Sequence, residues 1–250
     1  MVQLVLLRHG ESQWNLENRF TGWKDVSLTP NGIQEASFAG KQLVRANINI
    51  KSVYTSLLNR ATETSEIVTE ILNFPKDKIK YDWRLNERHY GALQGLNKSE
   101  TAKKYGEDQV QIWRRSYDIQ PPILDLNDER HPRFNKKFKF INNKLPAGES
   151  LKDVIERLGP FWNEYNEYLR NSLGSHMIVA HSNSLRAIIK LIENISNKDI
   201  VEVNIPTGVP LIYEFDQNFN INHKKYLIDK NTLNSKLSEI KNQGKAKIKK

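Results

Sequence analysis

The stretch Met177-Ile178-Val179-Ala180-His181-Ser182-Asn183-Ser184-Leu185-Arg186-Ala187-Ile188-Ile189-Lys190-Leu191-Ile192 changes its hydrophobic period in the middle. Residues 177–180 form a short, continuous apolar run, the pattern of a strand buried on both faces. After Ser184, a residue type that caps helices, Leu185, Ile188, Ile189 and Ile192 recur at helical spacing. The unit is strand, polar turn, helix, and it leaves His181 at the carboxyl end of the strand.

The same unit repeats along the chain. Residues 3–7 read as a buried strand that ends at Arg8-His9-Gly10, where glycine permits a sharp exit. Thr29-Pro30 caps a helix over about 30–46, with Ile33, Ala36, Gly40, Leu43 and Val44 on one face. The strand 52–55 precedes a helix marked by Leu58, Ala61, Ser65, Val68 and Leu72, with Arg60 in its first turn. Residues 79–81 read as a further strand, and Trp83 to Asn97 as a structured loop. Ser150 and Asp153 form a capping box before Val154, Ile155, Leu158, Phe161, Trp162 and Tyr165, with a kink expected at Pro160. Asp118 to Lys144 and the residues after Lys230 show no clear period.

This alternation predicts an α/β fold: three layers, with a largely parallel open sheet flanked by helices. A single domain over 1–230 and a basic, flexible C-terminal tail over 231–250 are expected. Residues 236–250 hold six lysines against Glu239 alone, so +5 of the net charge of +9 lies in that tail. The mildly basic body suits an enzyme of small polyanions, and no clustered basic and aromatic stripe points to nucleic acid. No apolar run approaches the roughly 20 residues of a membrane span, and the N-terminus has no signal-peptide pattern, so a cytoplasmic protein is expected. With no cysteine, disulfides, thiolate metal sites and thiol nucleophiles are excluded.

Ligands in such a sheet bind beyond the carboxyl ends of the strands, where His9 and His181 both lie. Arg8 precedes His9 and Arg60 opens a helix after another strand end. Two arginines and two imidazoles converging on one crevice make a dianion site. Neutral imidazole can attack phosphorus while arginines clamp the equatorial oxygens, so histidine is the natural nucleophile and no metal is required. Each residue alone has an ordinary reading as well: a packed histidine, a surface ion pair of Glu87 with Arg84 or Arg88, a solvated face for Arg114-Arg115.

Several segments together carry a resemblance: Leu7-Arg8-His9-Gly10-Glu11-Ser12, Arg19-Phe20-Thr21-Gly22-Trp23, Tyr54-Thr55-Ser56 with Arg60, Leu85-Asn86-Glu87-Arg88-His89-Tyr90-Gly91, Gln94-Gly95-Leu96-Asn97-Lys98, Trp113-Arg114-Arg115-Ser116-Tyr117 and Pro206-Thr207-Gly208-Val209-Pro210. From Leu4 to Phe215 the chain resembles the cofactor-dependent phosphoglycerate mutases of the histidine phosphatase superfamily. The resemblance implies interconversion of 2- and 3-phosphoglycerate through a phosphohistidine at His9, primed by 2,3-bisphosphoglycerate, with minor bisphosphoglycerate synthase and phosphatase activities. It implies that Glu87 handles the substrate's hydroxyl proton while Arg8, Arg60 and His181 hold the transferring group. Ser12, Asn15, Thr21, Gly22, Arg88, His89, Tyr90, Lys98, Arg114, Arg115, Ser182 and Asn183 are then the expected substrate-binding residues. A homo-oligomer, dimer or tetramer, is implied too, with the strand near Ile79 as a candidate edge; the tail reads equally as a segment that closes over the site, as family tails do, and as a disordered basic end. One departure stands out: the family usually has glycine where this chain has Ser182. A phosphatase of the same superfamily, and a catalytically silent phosphate-sensing or nucleic-acid-binding module, are the rival readings.

Overall fold

Among the residues described by the computed structural model, 1–141 and 145–242, six strands form one sheet. They are β1 (Val2–Arg8), β2 (Ile50–Thr55), β3 (Ile79–Tyr81), β4 (Gly174–Ala180), β5 (Leu211–Phe215) and β6 (Ile221–Tyr226), in the order β3-β2-β4-β1-β5-β6. The first four positions are parallel; β5 runs antiparallel to β1 and β6 antiparallel to β5. β1 shows why both faces are covered. Leu4 and Leu6 enter one hydrophobic cluster, while Val5 and Leu7 enter another on the opposite face.

Helices α2 (Pro30–Arg45) and α3 (Asn59–Ile71) cover the second of these faces through Ala39, Leu43 and Val68. Helices α6 (Leu151–Arg170) and α7 (Ser182–Glu193) cover the first through Leu151, Val154, Leu158, Leu185 and Ile188. The short α1 (Gln13–Leu16), with α4 (Lys98–Tyr105) and α5 (Glu107–Arg115), lies outside these layers; Ala102 and Val110 of α4 and α5 join Phe20 and Leu93 in a separate small core. The expected three-layer arrangement is thus present.

Thr29 caps α2 as read, its side chain accepting from the Gly32 amide, and the Ser150–Asp153 capping box opens α6. Other details differ from the sequence reading. Ile33 and Val44 of α2 are 48% and 50% exposed, and the buried face instead carries Gly32, Ala36, Ala39, Gly40 and Leu43. Small residues let α2 approach closely. The β5–β6 hairpin has no counterpart in the reading, because β6 is an edge strand whose polar sequence carries no apolar period. Residues 230–242, read as the start of a tail without structure, form α8 (Lys230–Asn242). Its Ile240 is 8% exposed, and Lys236 Nζ donates to Oε1 of Glu35 on α2 at 2.6 Å. The remainder of the predicted tail, 243–250, lies outside the described residues.

The exit from β1 is built on a contact between two main chains. A Cβ on Gly10 would stand 2.2 Å from the Gly32 carbonyl oxygen, and one on Gly32 would stand 2.0 Å from that of Glu11. Neither position has room for a side chain. The amide of Gly10 donates to Thr64 Oγ1 of α3 at 3.0 Å, and that of Glu11 to Glu35 of α2 at 2.8 Å.

Candidate active site

β1 and β4 are adjacent and parallel, so their carboxyl ends bring His9 and His181 together, with ring centroids 5.0 Å apart. The β ladder extends one step further, the His9 amide donating to the Ala180 carbonyl at 3.0 Å. Nδ1 of His9 lies 2.7 Å from the Gly10 carbonyl oxygen, which can only accept, so Nδ1 carries the proton. That leaves a lone pair on Nε2, toward which Arg60 Nε donates at 3.3 Å. Burial, with Arg60 and Arg8 close by, holds the His9 pKa well below its ordinary value. The ring is a neutral nucleophile.

Arg60 is fixed by the backbone. Its Nη2 donates to the Gly22 carbonyl at 2.8 Å and its Nη1 to that of Lys24 at 3.1 Å. Gly22 adopts a positive φ of +56°, and a Cβ there would meet the Tyr90 amide nitrogen at 3.2 Å. His181 lies behind His9, its Nε2 sharing a 2.7 Å hydrogen bond with Ser56 Oγ at the end of β2. Burial, with Arg60 and His9 next in effect, also holds His181 well below the ordinary histidine range.

The reading placed the cap of α7 at Ser184, whereas the helix begins at Ser182 with His181 as its N-cap. The His181 amide donates to Ser184 Oγ at 3.1 Å, which makes Ser184 the third residue of the helix. This earlier start frees the Asn183 amide, which donates to Oε1 of Glu87 at 3.1 Å. The Arg88 amide donates to the same oxygen at 2.7 Å. Glu87 is buried, and Arg84, its suggested surface partner, pairs instead with Asp82 and Glu164. Ser182 has no positive φ, so nothing in the backbone here demands glycine.

The cleft is lined by Arg8, His9, Asn15, Thr21, Gly22, Arg60, Glu87, Tyr90, Lys98, Arg114, Arg115, Ser182 and Asn183, all expected from the sequence. Lys98 comes from the start of α4 and Arg114 and Arg115 from the end of α5. Arg19 and Ile240 complete the wall and were not among the expected residues. Arg19 lay within a quoted motif; Ile240 had no local signal, because its role depends on where α8 docks. Glu87 is the only carboxylate facing these cations in the wall as described. Burial lowers the pKa of Lys98, with Arg114 and Arg8 adding to the effect. Burial likewise brings Arg60 and Arg114 down to about 10. The crevice is therefore arranged for a polyanion.

Three expected binding residues stand outside the wall. Ser12 donates through both its amide and Oγ to Oδ1 of Asn15, orienting that side chain. Arg88 is fully buried, donates to the Arg114 carbonyl at 2.9 Å and stacks 4.6 Å from the centre of the Tyr90 ring. His89 has its ring fully buried near Trp23, and Nδ1 accepts from the Gly91 amide at 3.1 Å. The backbone of the loop turns that side chain inward, away from the cleft. Among the described residues, no group of three or more His, Asp or Glu side chains could hold a metal ion, and no helix is long and apolar enough to cross a membrane.

The family model for branch 1 of the histidine phosphatase superfamily matches residues 4–136 and 124–222. A protein of Hydrogenobaculum sp. (strain Y04AAS1), named 2,3-bisphosphoglycerate-dependent phosphoglycerate mutase, is 49% identical over 98% of this chain and 100% of its own length. One of the same name from Treponema denticola is 48% identical over the same shares. Among solved structures, a mycobacterial glucosyl-3-phosphoglycerate phosphatase superposes with a TM-score of 0.68 at 20% identity, covering 91% of this chain and 98% of that one. An alpha-ribazole phosphatase from Shigella flexneri gives 0.62 at 21% identity, over 88% and 96%. Those structural likenesses establish the fold; the sequence matches, spanning the strand-end histidines and the cation-lined cleft, go further, and the chain belongs to branch 1 of the histidine phosphatase superfamily.

Proposed function

We propose that this chain is a 2,3-bisphosphoglycerate-dependent phosphoglycerate mutase, interconverting 2- and 3-phosphoglycerate through phospho-His9. The observation that carries the reading is the pairing of a neutral His9 Nε2 with a buried carboxylate, Glu87, in one cleft lined by Arg8, Arg60, Lys98, Arg114 and Arg115. A phosphatase needs the first half of that set. An exchange between two hydroxyls also needs cations enough to hold a second phosphate and a carboxylate.

In the first half, the free hydroxyl oxygen of the monophosphoglycerate attacks the phosphorus of phospho-His9, the new P–O bond forms, the N–P bond breaks and Glu87 takes the hydroxyl proton, leaving bisphosphoglycerate. Arg8 and Arg60 hold the equatorial oxygens, where negative charge is greatest in the transition state. Lys98, Arg114 and Arg115 retain the intermediate's remaining anionic groups while it turns. In the return half, Nε2 of His9 attacks the other phosphorus, the N–P bond forms, the P–O bond to the glycerate breaks and Glu87 gives the proton to the departing oxygen. Water entering instead of the hydroxyl gives the minor phosphatase activity. Bisphosphoglycerate supplies the first phosphoryl group, and the same cations suit its two phosphates. The unpaired edge of β3, where Tyr81 is exposed, is the place we assign to a contact between copies.

Mixing with 2,3-bisphosphoglycerate, followed by intact-mass and acid-labile phosphate analysis, is expected to label the wild type and leave His9→Ala unlabelled. Labelled 3-phosphoglycerate should yield the 2-isomer. Equal labelling of both proteins, or free phosphate as the main product, removes the reading.

A further inference from the structure

Arg157 and Glu149 line no part of the cleft, yet they grip the main chain around Glu87. Their side chains are 6% and 5% exposed and form a two-pronged ion pair, with Arg157 Nε 2.7 Å and Nη2 3.0 Å from the two Glu149 oxygens. Arg157 Nη1 also donates to the carbonyls of Arg84 at 2.8 Å and Asn86 at 3.2 Å, and Nη2 donates to that of Glu87 at 3.3 Å. On the other side of Glu87, Oε2 of Glu149 accepts from the His89 amide at 2.8 Å, and the Glu149 amide donates to the His89 carbonyl at 2.9 Å. The indole of Trp23 donates to the Glu87 carbonyl at 2.6 Å and lies under the Arg157 guanidinium, 5.5 Å from it.

Residues 86–90 belong to no helix or strand, so no ladder of regular structure fixes them. The pair takes over that task. A buried ion pair is a weak choice for stability alone, because apolar side chains of similar volume serve as well. What apolar side chains cannot do is satisfy three carbonyls at once. The planar, five-donor guanidinium can, while its carboxylate partner holds an amide two residues beyond Glu87.

We infer that the Glu149–Arg157 pair is a positioning device for Glu87, acting on the proton-dependent steps of phosphoryl exchange rather than on substrate binding. The inference rests on the reading of Glu87 as the proton carrier. Oε1 of Glu87 accepts from the Arg88 amide of this same main chain and from the Asn183 amide of α7, so a shift of residues 86–90 moves the carboxylate relative to its second donor and to the cleft. A misplacement of about 1 Å in such a group is enough to slow a reaction on the order of a hundredfold.

The test is single-turnover formation of phospho-His9 in Arg157→Lys and, because a buried pair is vulnerable, in Trp23→Phe, which keeps both partners of the pair and an aromatic ring beneath Arg157 while removing the indole donor to the Glu87 carbonyl. With 2,3-bisphosphoglycerate, whose leaving oxygen needs a proton, Arg157→Lys should slow labelling by about ten- to hundredfold and Trp23→Phe by less, with KM for 3-phosphoglycerate within about twofold. With p-nitrophenyl phosphate, whose phenolate leaves unprotonated, both should match the wild type. In a Glu87→Gln background neither substitution should slow labelling further, since no proton remains to be positioned. Equal loss with both donors, full additivity with Glu87→Gln, or no loss with either donor overturns the proposal. If Glu87→Gln itself is harmless, or wild type is never labelled, the reading of the site fails first, and that result is visible without any Arg157 variant.

Discussion

Arg60 Nε donates to Nε2 of His9 across 3.3 Å while the opposite ring nitrogen is bonded to the Gly10 carbonyl at 2.7 Å. The nucleophilic lone pair thus faces the cation that would share the phosphoryl oxygens. Lysine cannot reach His9 together with the Gly22 and Lys24 carbonyls. Arg60→Lys is expected to slow His9 phosphorylation by about 10²- to 10³-fold, the range for removing one preorganised donor. Rapid-quench measurement with 2,3-bisphosphoglycerate checks it; a change under about threefold would exclude an essential clamp.

Ile240 brings an apolar side chain from α8 into a wall otherwise dominated by cations. Ile240→Asp would place a carboxylate where the substrate's own anions belong, competing for Arg8, Lys98 and their neighbours. KM for 3-phosphoglycerate should rise about tenfold or more, equivalent to about 1.4 kcal/mol of lost binding. Ile240→Val should behave as wild type. A steady-state comparison of the two separates charge from packing.

Ser182 occupies the first turn of α7 with no positive φ, although the family resemblance leads to an expectation of glycine there. Ser182→Gly is therefore expected to change turnover by less than about tenfold, or about 1.4 kcal/mol in barrier. A larger gain would mean that the hydroxyl obstructs the transferring group.

The strand ends were legible because parallel strands buried on both faces read as continuous apolar runs, and the residues that follow them must lie at one edge of the sheet. His9, His181 and Arg60 were found that way. The family motifs supplied Glu87 and the outer cations, which no period marks. Arg157 and Glu149 escaped notice because an arginine midway along a helix and a glutamate just before one look like ordinary polar positions; only tertiary contact distinguishes them. His89 shows what a motif leaves open, since it lies outside the cleft wall. Its place inside a motif suggested substrate contact, but the backbone directs its ring into the core, where it accepts from the Gly91 amide.

That inward ring gives a test in pH. Burial lowers the His89 pKa to about 3, with His131 and Arg157 adding to the effect, against about 6.5 when the chain is unfolded. The folded state then binds the proton less readily than the unfolded one. Its stabilising contribution is complete above about pH 6.5 and declines as pH falls toward 3, by about 2 kcal/mol between 6.5 and 5. Urea unfolding across that interval, without polyanions, should show a steeper loss in the wild type than in His89→Gln. Equal slopes would mean that the ring is solvated.

Gly10 and Gly32 meet with no side chain between them. Main-chain atoms alone separate the loop that follows the nucleophile from helix α2, so the backbone at the end of the strand is set directly against a helix. A methyl group at Gly10 would meet the main chain of Gly32, and one at Gly32 that of Glu11, so either would have to displace a backbone rather than a neighbouring side chain. The loop after His9 is thereby tied to the same helix whose Ala39 and Leu43 pack against Val5 and Leu7 of β1, so one layer sets both sides of the nucleophile's backbone.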